Sequence, residues 1–343
     1  MFTKDNKGIE NIGNELNRKW KIKKEDSITL NESYWRLSQK YNNDTLFNYH
    51  ERIKNCASYL EFKLFEDNSK KLHKSSFCRC RLCPMCNWRR SKKTFGQVSK
   101  IVNEIDKLNK YDYIFLTLTV KNCVAEELEN TINLISDSFR RMFHNRDGNK
   151  KIINICKGYF RAIEVTYNKK ENTYHPHIHC ILVVEKGYLH WKNKDYIKQE
   201  EFESIWQHYL KSDYKPRVDV RKVKAKDYNN NGILELSKSK AVAEISKYTV
   251  KSKDIIINNK NGKVNEELTD NNVFTLHFAL KNKRLVTFGG IMKELHKKLN
   301  LEDLDKDNID LLSLDVDDDD NLLNYIILKY KWCVGYKNYE LMK

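Results

Sequence analysis

The order in which hydrophobic periods alternate between Tyr113 and Val223 constrains this chain more than any other feature. Tyr113–Val120 (YIFLTLTV) is rich in β-branched and aromatic residues and reads as a strand. Leu128, Ile132, Ile135, Phe139 and Met142 recur at steps of four and three, the period of a helix. Phe160–Tyr167 and His177–Val184 read as two strands joined by the short polar loop NKKENTY, hence a hairpin. Phe202, Ile205, Trp206, Tyr209 and Leu210 mark a second helix, and Arg217–Val223 a further strand. The resulting β-α-β-β-α-β order predicts an α+β, ferredoxin-like core with a central antiparallel sheet, one face of which is open for a site. A helix over about 240–251 follows it.

Four serial regions are expected. Residues 1–50 are polar with weak periodicity and read as an N-terminal extension. Residues 51–94 form a segment rich in cysteine and arginine, 95–255 hold the core, and 256–343 form a C-terminal extension with an acidic tract that ends in Asp317–Asp320. The helix that opens the core places Phe95, Val98, Ile101, Val102, Ile105 and Leu108 on one face.

Lys+Arg total 63 against 47 Asp+Glu, a formal charge of +16. Such an excess suits a polyanion, because each cation set against a phosphate releases condensed counterions; a solvated, charge-rich surface accounts for it as well. The first residues contain no apolar stretch with a small-residue cleavage site, and nowhere do ~18 apolar residues run together. A cytoplasmic protein that neither crosses nor enters a membrane is expected. The nine cysteines then read as reduced thiols or metal ligands rather than a disulfide framework.

The sharpest local signal is Tyr174-His175-Pro176-His177-Ile178-His179. On a strand, His177 and His179 point the same way, about 7 Å apart, a spacing at which two imidazoles can bite one divalent cation. A turn centred near Lys170 and Glu171 would set Glu164 opposite His177 on the same face. Glu164 is a charge among apolar neighbours and needs a partner. Two nitrogens and one carboxylate leave coordination positions open, as at a catalytic rather than a structural site. His175 lies at the loop edge and is assigned an auxiliary part.

If 240–251 is helical, Glu244 and Tyr248 lie one turn apart with Lys251 beside them. A tyrosine phenol is a poor nucleophile at its usual pKa of ~10, and a nearby cation would stabilise the phenolate. On its own this pattern is also that of an ordinary solvated helix face.

Cys78-x-Cys80-x-x-Cys83-x-x-Cys86 places four thiols within nine residues, with Cys56 and His73 upstream. A structural Zn2+ held by four thiolates is expected, the choice among Cys56, Cys78, Cys80, Cys83 and Cys86 remaining open. Arg79, Arg81, Arg89 and Arg90 crowd the same segment and Trp88 could stack on a base, so this segment is also a candidate DNA contact.

Together these pieces resemble the rolling-circle replication initiators of small plasmids, within the tyrosine endonucleases named for a His-hydrophobic-His motif. The ordered match comprises Phe-Leu-Thr-Leu-Thr at 115–119, His-Pro-His-Ile-His at 175–179 and Glu-x-x-Lys-Tyr-x-x-Lys at 244–251. It also comprises FCRCRLCPMCNWRR at 77–90, RLVTFGG at 284–290 and Tyr-x-Trp-x-x-Gly at 330–335. The resemblance implies that Tyr248 attacks an origin phosphate and becomes linked to the 5′ end. His177, His179 and Glu164 would hold Mg2+ or Mn2+, and Glu244 would activate water at termination. It further implies zinc on Cys56, Cys78, Cys83 and Cys86 with Cys80 spare. The implied partners are origin DNA, single-stranded or as an extruded hairpin, and a host helicase and DNA polymerase, since no GxxxxGK[ST] phosphate loop is present. A transposase or relaxase of the same superfamily is the nearest rival; relaxases place the tyrosine before the histidines. A non-catalytic zinc-dependent nucleic-acid-binding regulator is the rival from another class.

Overall fold

The structure, a computed structural model, describes residues 6–144, 150–190, 193–224, 235–247, 250–314 and 324–342. In chain order, helices α1 (Asn6–Tyr41) and α2 (Asp44–Lys54) precede the hairpin strands β1 (Tyr59–Phe65) and β2 (Lys70–Ser75). Helix α3 (Pro84–Lys107) leads to β3 (Tyr111–Thr119), α4 (Leu128–Phe143), α5 (Lys150–Ile155), β4 (Gly158–Asn168) and β5 (Thr173–Glu185). Then come α6 (Gln199–Leu210), β6 (Val218–Lys224), β7 (Glu235–Ser237), α7 (Lys238–Ile245) and α8 (Ser252–Ile255). The chain closes with α9 (Glu266–Leu280), β8 (Val286–Gly289), α10 (Gly290–Lys298), β9 (Tyr325–Cys333) and β10 (Asn338–Leu341). Among the described residues no helix is long and apolar enough to cross a membrane.

Two compact units result, and neither is continuous in sequence. One combines the residues up to Lys93 with Ile255–Phe274 and those from Lys306 on; the other combines Thr94–Asp254 with Thr275–Asp305. This replaces the serial division expected from composition. The reason is strand pairing between distant segments: β9 pairs with β1, and β8 with β4.

The second unit holds a six-stranded sheet in the order β7-β6-β3-β5-β4-β8. Its four inner strands are the expected ferredoxin-like core, with β3 antiparallel to both β5 and β6 and β4 antiparallel to β5. The apolar face of α4 (Leu128, Ile132, Ile135, Phe139, Met142) is fully buried. Trp206 of α6 is also buried, and its indole N–H donates to the Thr119 carbonyl at 2.9 Å. Ile178, Cys180 and Leu182 of β5 are completely enclosed, which turns His177 and His179 to the opposite face.

The first unit is built on a second sheet, β10-β9-β1-β2. Leu60, Phe62, Leu64, Leu328, Tyr330, Trp332 and Tyr339 are buried on its inner face. Residues 1–50, expected as an extension, instead supply α1 and most of α2. Trp20, Lys24, Ser27, Leu30, Tyr34 and Leu37 recur at helical spacing and are buried. Lysine and serine on that face mask its periodicity in sequence.

The acidic tract beyond Leu301 serves in part as a clamp. Asp303 pairs with Arg284, and Asp305 accepts from the backbone N–H groups of Leu285 and Val286 at 3.0 and 3.1 Å. These bonds hold the start of β8 beside β4. At its other end the chain turns through Gly290 at φ +50°, where an added Cβ would lie 2.3 Å from the Lys157 carbonyl oxygen. Gly290→Ala is therefore expected to destabilise the protein by more than about 1 kcal/mol. A denaturant-unfolding midpoint equal to the parent's would contradict that docking.

Candidate metal and nucleophile site

The β4–β5 hairpin sets the site. Its register pairs Glu164 with His177 and Ala162 with His179, while β3 brings Thr117 opposite His179 and Thr119 opposite His177. Directly paired residues of antiparallel strands share a face, so Glu164, His177 and His179 converge. One Glu164 carboxylate oxygen, Oε2, lies 3.3 Å from His179 Nε2 and 3.9 Å from His177 Nε2. One ligand atom from each residue lies within 4.8 Å of the others. Two ligands about 2.1 Å from a common ion stand roughly 3–4 Å apart, so this group has the chemistry and spacing to hold one divalent cation.

Hydrogen bonds orient both rings. His177 Nδ1–H donates to the His175 carbonyl at 3.1 Å, which leaves Nε2 as the lone-pair nitrogen turned towards Glu164. His179 Nδ1 shares a hydrogen bond of 3.2 Å with the Thr117 hydroxyl. The His175 ring stacks on His177 at 5.1 Å between centroids, which places it beside the group rather than within it.

Glu164 is 3% exposed. Burial alone would raise its carboxyl, but the His179 and Lys251 hydrogen bonds, with the charges of Lys251 and His177, outweigh it and hold the group at about 2. His177 is lowered to about 4 by burial and by His179, against the opposing pull of Glu164. The carboxylate is thus ionised and His177 neutral at neutral pH, the states in which each can ligate a metal.

Lys251 reaches the site from the segment after α7, and its ammonium pairs with Glu164 Oε1. The expected helix over 240–251 is not continuous. It stops at Ile245, residues 246–247 turn, and α8 begins at Ser252. Burial of Val250, the Lys251–Glu164 pair and a bond from the Tyr167 backbone N–H to Asp254 Oδ1 at 3.2 Å draw the chain onto β4. Tertiary contact here overrides helix propensity. Glu244 is half-buried in the last turn of α7 and pairs with Lys247. Tyr248 lies outside the described residues. Thr117 and Asp254 were missed in sequence; Thr117 becomes visible once Phe-Leu-Thr-Leu-Thr is paired antiparallel to the histidine strand.

A second group lies in the first unit. The sulfurs of Cys56, Cys78, Cys83 and Cys86 lie within 4.8 Å of one another. Cys56–Cys86, Cys78–Cys86 and Cys83–Cys56 are 3.6, 3.5 and 3.7 Å apart. Four sulfurs about 2.3 Å from a tetrahedral ion would stand roughly 3.8 Å apart, so the donor set could enclose a metal. Backbone N–H groups of Cys78 and Arg79 point at Cys56 and Cys86 sulfurs, at 3.5 and 3.2 Å. Cys80 is buried outside the group, its thiol directed at the Cys78 carbonyl. His73 is exposed and takes no part.

Two residues of α1 complete this surrounding and carried no motif. Lys24, 2% exposed, donates to the Cys56 carbonyl at 2.6 Å and to Ser58 Oγ at 2.9 Å. Ser27 Oγ lies 3.4 Å from Cys83 Sγ and accepts from the Met85 backbone N–H at 3.3 Å.

The basic residues expected to face DNA are placed otherwise. Arg89 is buried, with bonds to the Leu311 and Leu312 carbonyls at 2.8 and 2.7 Å. Arg90 is buried as well and donates to the Lys306 and Arg79 carbonyls at 3.2 and 3.1 Å. Arg79 is exposed but spends its Nε–H on the Ile309 carbonyl at 3.0 Å. These guanidiniums pin residues 306–312, whose free carbonyls need donors. Trp88 packs edge-on against Trp20 at 4.8 Å, and Arg81 is half-buried.

Comparison with known proteins places the chain in a family. The family described as Replication protein matches residues 69–340. "Protein rep" of Bacillus amyloliquefaciens is 38% identical over 334 residues, covering 94% of each chain. "Protein rep" of a Bacillus species is 42% identical over 260 residues, 74% of this chain and 81% of its own. That of Streptococcus pneumoniae serotype 2 (strain D39 / NCTC 7466) is 35% identical over 323 residues, 94% of this chain and 91% of its own. No solved structure matches. The chain belongs to the replication protein family, the Rep initiators whose ordered motifs it carries.

Proposed function

We propose that this plasmid replication initiator nicks one DNA strand at the origin through Tyr248, with Glu164, His177 and His179 as ligands of a divalent cation, Mg2+ or Mn2+. The observation that carries the reading is the convergence of those three side chains, joined by Lys251 from the tyrosine segment. Bound there, the ion supplies Lewis-acid charge at the scissile phosphate. The remaining work falls to the chain. The Tyr248 phenolate forms a bond to phosphorus, the bond from phosphorus to the 3′ oxygen breaks, and that oxygen takes a proton to become the 3′-hydroxyl that primes synthesis. The 5′ phosphate stays on the tyrosine. Lys251 carries positive charge beside the carboxylate and favours phenolate over phenol. At termination Glu244 takes a proton from the water that attacks the regenerated origin phosphate, whose bond to the 3′ oxygen breaks. The 3′-hydroxyl so freed attacks the phosphotyrosine, its bond to the tyrosine oxygen breaks, and the phenol returns as the circle closes. The surrounding partners would be a host helicase and DNA polymerase in the cytoplasm.

For the cysteine group we propose Zn2+ as a structural ion. Four thiolates on a divalent ion carry net negative charge, which balances the Lys24 ammonium buried against them.

Incubation with single-stranded origin DNA and Mn2+, followed by a denaturing gel, tests the nucleophile. Tyr248→Phe is expected to give no covalent adduct and no nick; nicking retained at the parental rate would sink the assignment. Glu244→Ala is expected to nick normally but to accumulate adduct, and clean release of closed circles by that variant would refute its role. Native protein is expected to contain one zinc, and Lys24→Met to release it to a chelator at least ten-fold faster. Unchanged release from folded Lys24→Met would remove the charge-balance account. The pH dependence follows from His177. Its folded pKa of about 4 lies below the unfolded value of ~6.5, so as pH falls through that window the unfolded state gains a proton that the folded state refuses. Metal-free protein is expected to lose stability from about pH 6.5 to about pH 4, and less steeply as His177→Gln; equal slopes in urea unfolding would contradict the depressed value.

A further inference from the structure

The two imidazoles that meet Glu164 are not prepared alike. His177 Nδ1–H donates to the His175 carbonyl at 3.1 Å. A carbonyl only accepts, so the neutral ring has one arrangement, with its proton on Nδ1 and its lone pair on Nε2. That Nε2 stands 3.9 Å from Glu164 Oε2, too far for a hydrogen bond. His179 differs at both nitrogens. Its Nε2 stands 3.3 Å from the same oxygen and hydrogen-bonds to it, and its Nδ1 meets the Thr117 hydroxyl at 3.2 Å. Glu164 Oε1 is held by Lys251, so Oε2 alone serves the histidines.

The polarity of these bonds follows from the groups that make them. An ionised carboxylate only accepts, so the bond to Oε2 puts the proton of a neutral His179 on Nε2. Nδ1 is then an acceptor, and Thr117 donates to it. A ring that ligates through Nε2 needs the reverse: the lone pair on Nε2, the proton on Nδ1 and an acceptor beyond it. A hydroxyl serves both arrangements by turning about its C–O bond, since it has one proton and two lone pairs. Thr117 is half-buried, so its O–H has water to turn to when Oγ1 accepts. The β3–β5 register sets it directly opposite His179, and its β-branched side chain keeps Oγ1 in place. Thr119, opposite His177, is committed elsewhere, its hydroxyl donating to the Arg217 carbonyl at 2.8 Å.

We propose that Thr117 is a positioning residue that lets His179 exchange tautomers: Nε2–H in the metal-free protein, with Thr117 donating to Nδ1, and Nδ1–H when a divalent cation is bound, with Thr117 accepting. His177 keeps its Nδ1 proton in both states. One proton leaves Nε2 to water and one is taken from water at Nδ1, so His179 carries a single proton before and after. The group is thus half preorganised. His177 stands ready as a ligand, while His179 donates to the carboxylate until that bond gives way to ligation. This inference rests on the reading of Glu164, His177 and His179 as ligands of a divalent cation, and adds what the hydroxyl on β3 does for one of them.

The test is a long-range proton–nitrogen correlation spectrum of zinc-loaded protein labelled with 15N-histidine, which distinguishes the two tautomers. It is recorded at about pH 8, above the usual histidine range. Signals are assigned by their loss in His177→Gln and His179→Gln. The metal-free parent is expected to show His179 as Nε2–H and His177 as Nδ1–H. Mg2+, at a concentration that displaces bound Mn2+, is expected to convert His179 alone to Nδ1–H. A metal-free His179 already in the Nδ1–H form, a doubly protonated His179, or no conversion with Mg2+ overturns the proposal. Mn2+ affinity, read from the paramagnetic resonance of the free ion, gives a second arm. Thr117→Val, which keeps the shape and removes the hydroxyl, is expected to bind Mn2+ about ten-fold more weakly or worse, and Thr117→Ser within about three-fold of the parent. Thr119→Val is expected to bind as the parent does. Parental affinity in Thr117→Val, or a serine variant as weak as the valine one, also overturns it. The parent spectra need no change at position 117, so the test stands if Thr117→Val misfolds. No Mn2+ bound by the parent would overturn the metal site and this inference with it, whereas Mn2+ bound equally by parent and Thr117→Val would overturn the role of Thr117 alone.

Discussion

A carboxylate enclosed in a β-sheet is tolerated only if cations surround it, and Glu164 sets that condition for the second unit. It lies on β4 among the buried apolar residues Ala162, Ile163 and Val165, and His177, His179 and Lys251 supply its partners. Each comes from a different constraint. The histidines arrive through the hairpin register, so a slip by one residue would turn both into the core. Lys251 arrives because Val250 and Asp254 on either side of it are buried against the same unit. The ferredoxin-like order of strands matters here because it sets β3 beside β5, where Thr117 can hold the His179 ring.

The first unit answers the corresponding problem with sulfur. Four cysteines from three segments come together where α1 meets the start of α3, and the buried Lys24 finds carbonyl, hydroxyl and sulfur neighbours there but, among the described residues, no carboxylate. Nearby, Arg79, Arg89 and Arg90 satisfy backbone carbonyls of residues 306–312. A segment that reads as a nucleic-acid contact by composition is thus largely an internal scaffold. Charge-rich sequence cannot by itself separate these uses, since a guanidinium meets a carbonyl as readily as a phosphate.

What was legible in the sequence was local. Alternation along 174–184, with a polar loop of stated length, sufficed to set Glu164 opposite His177, and steps of three and four located α4 and α6. What was not legible depended on distant pairing or on polar residues in buried places. β1 and β9 lie more than 250 residues apart and nothing in either names the other. α1 hides its buried face behind Lys24 and Ser27. The helix expected over 240–251 has adequate propensity but ends at Ile245, because contacts to β4 compete for the residues beyond it. Spacing alone could not set Cys80 aside from its neighbours; the resemblance implied that it is spare, and the geometry leaves it outside the group.

The central claim is that Glu164, His177 and His179 together hold one divalent ion. Electron paramagnetic resonance of Mn2+ titrated into zinc-loaded protein addresses this most directly, because it reports both stoichiometry and ligand nuclei. The account predicts a single bound ion with nitrogen couplings from two imidazoles, one of them lost in His177→Ala and the ion itself lost in Glu164→Ala. Absence of bound Mn2+ in the parent, or bound Mn2+ with no nitrogen coupling, would contradict it.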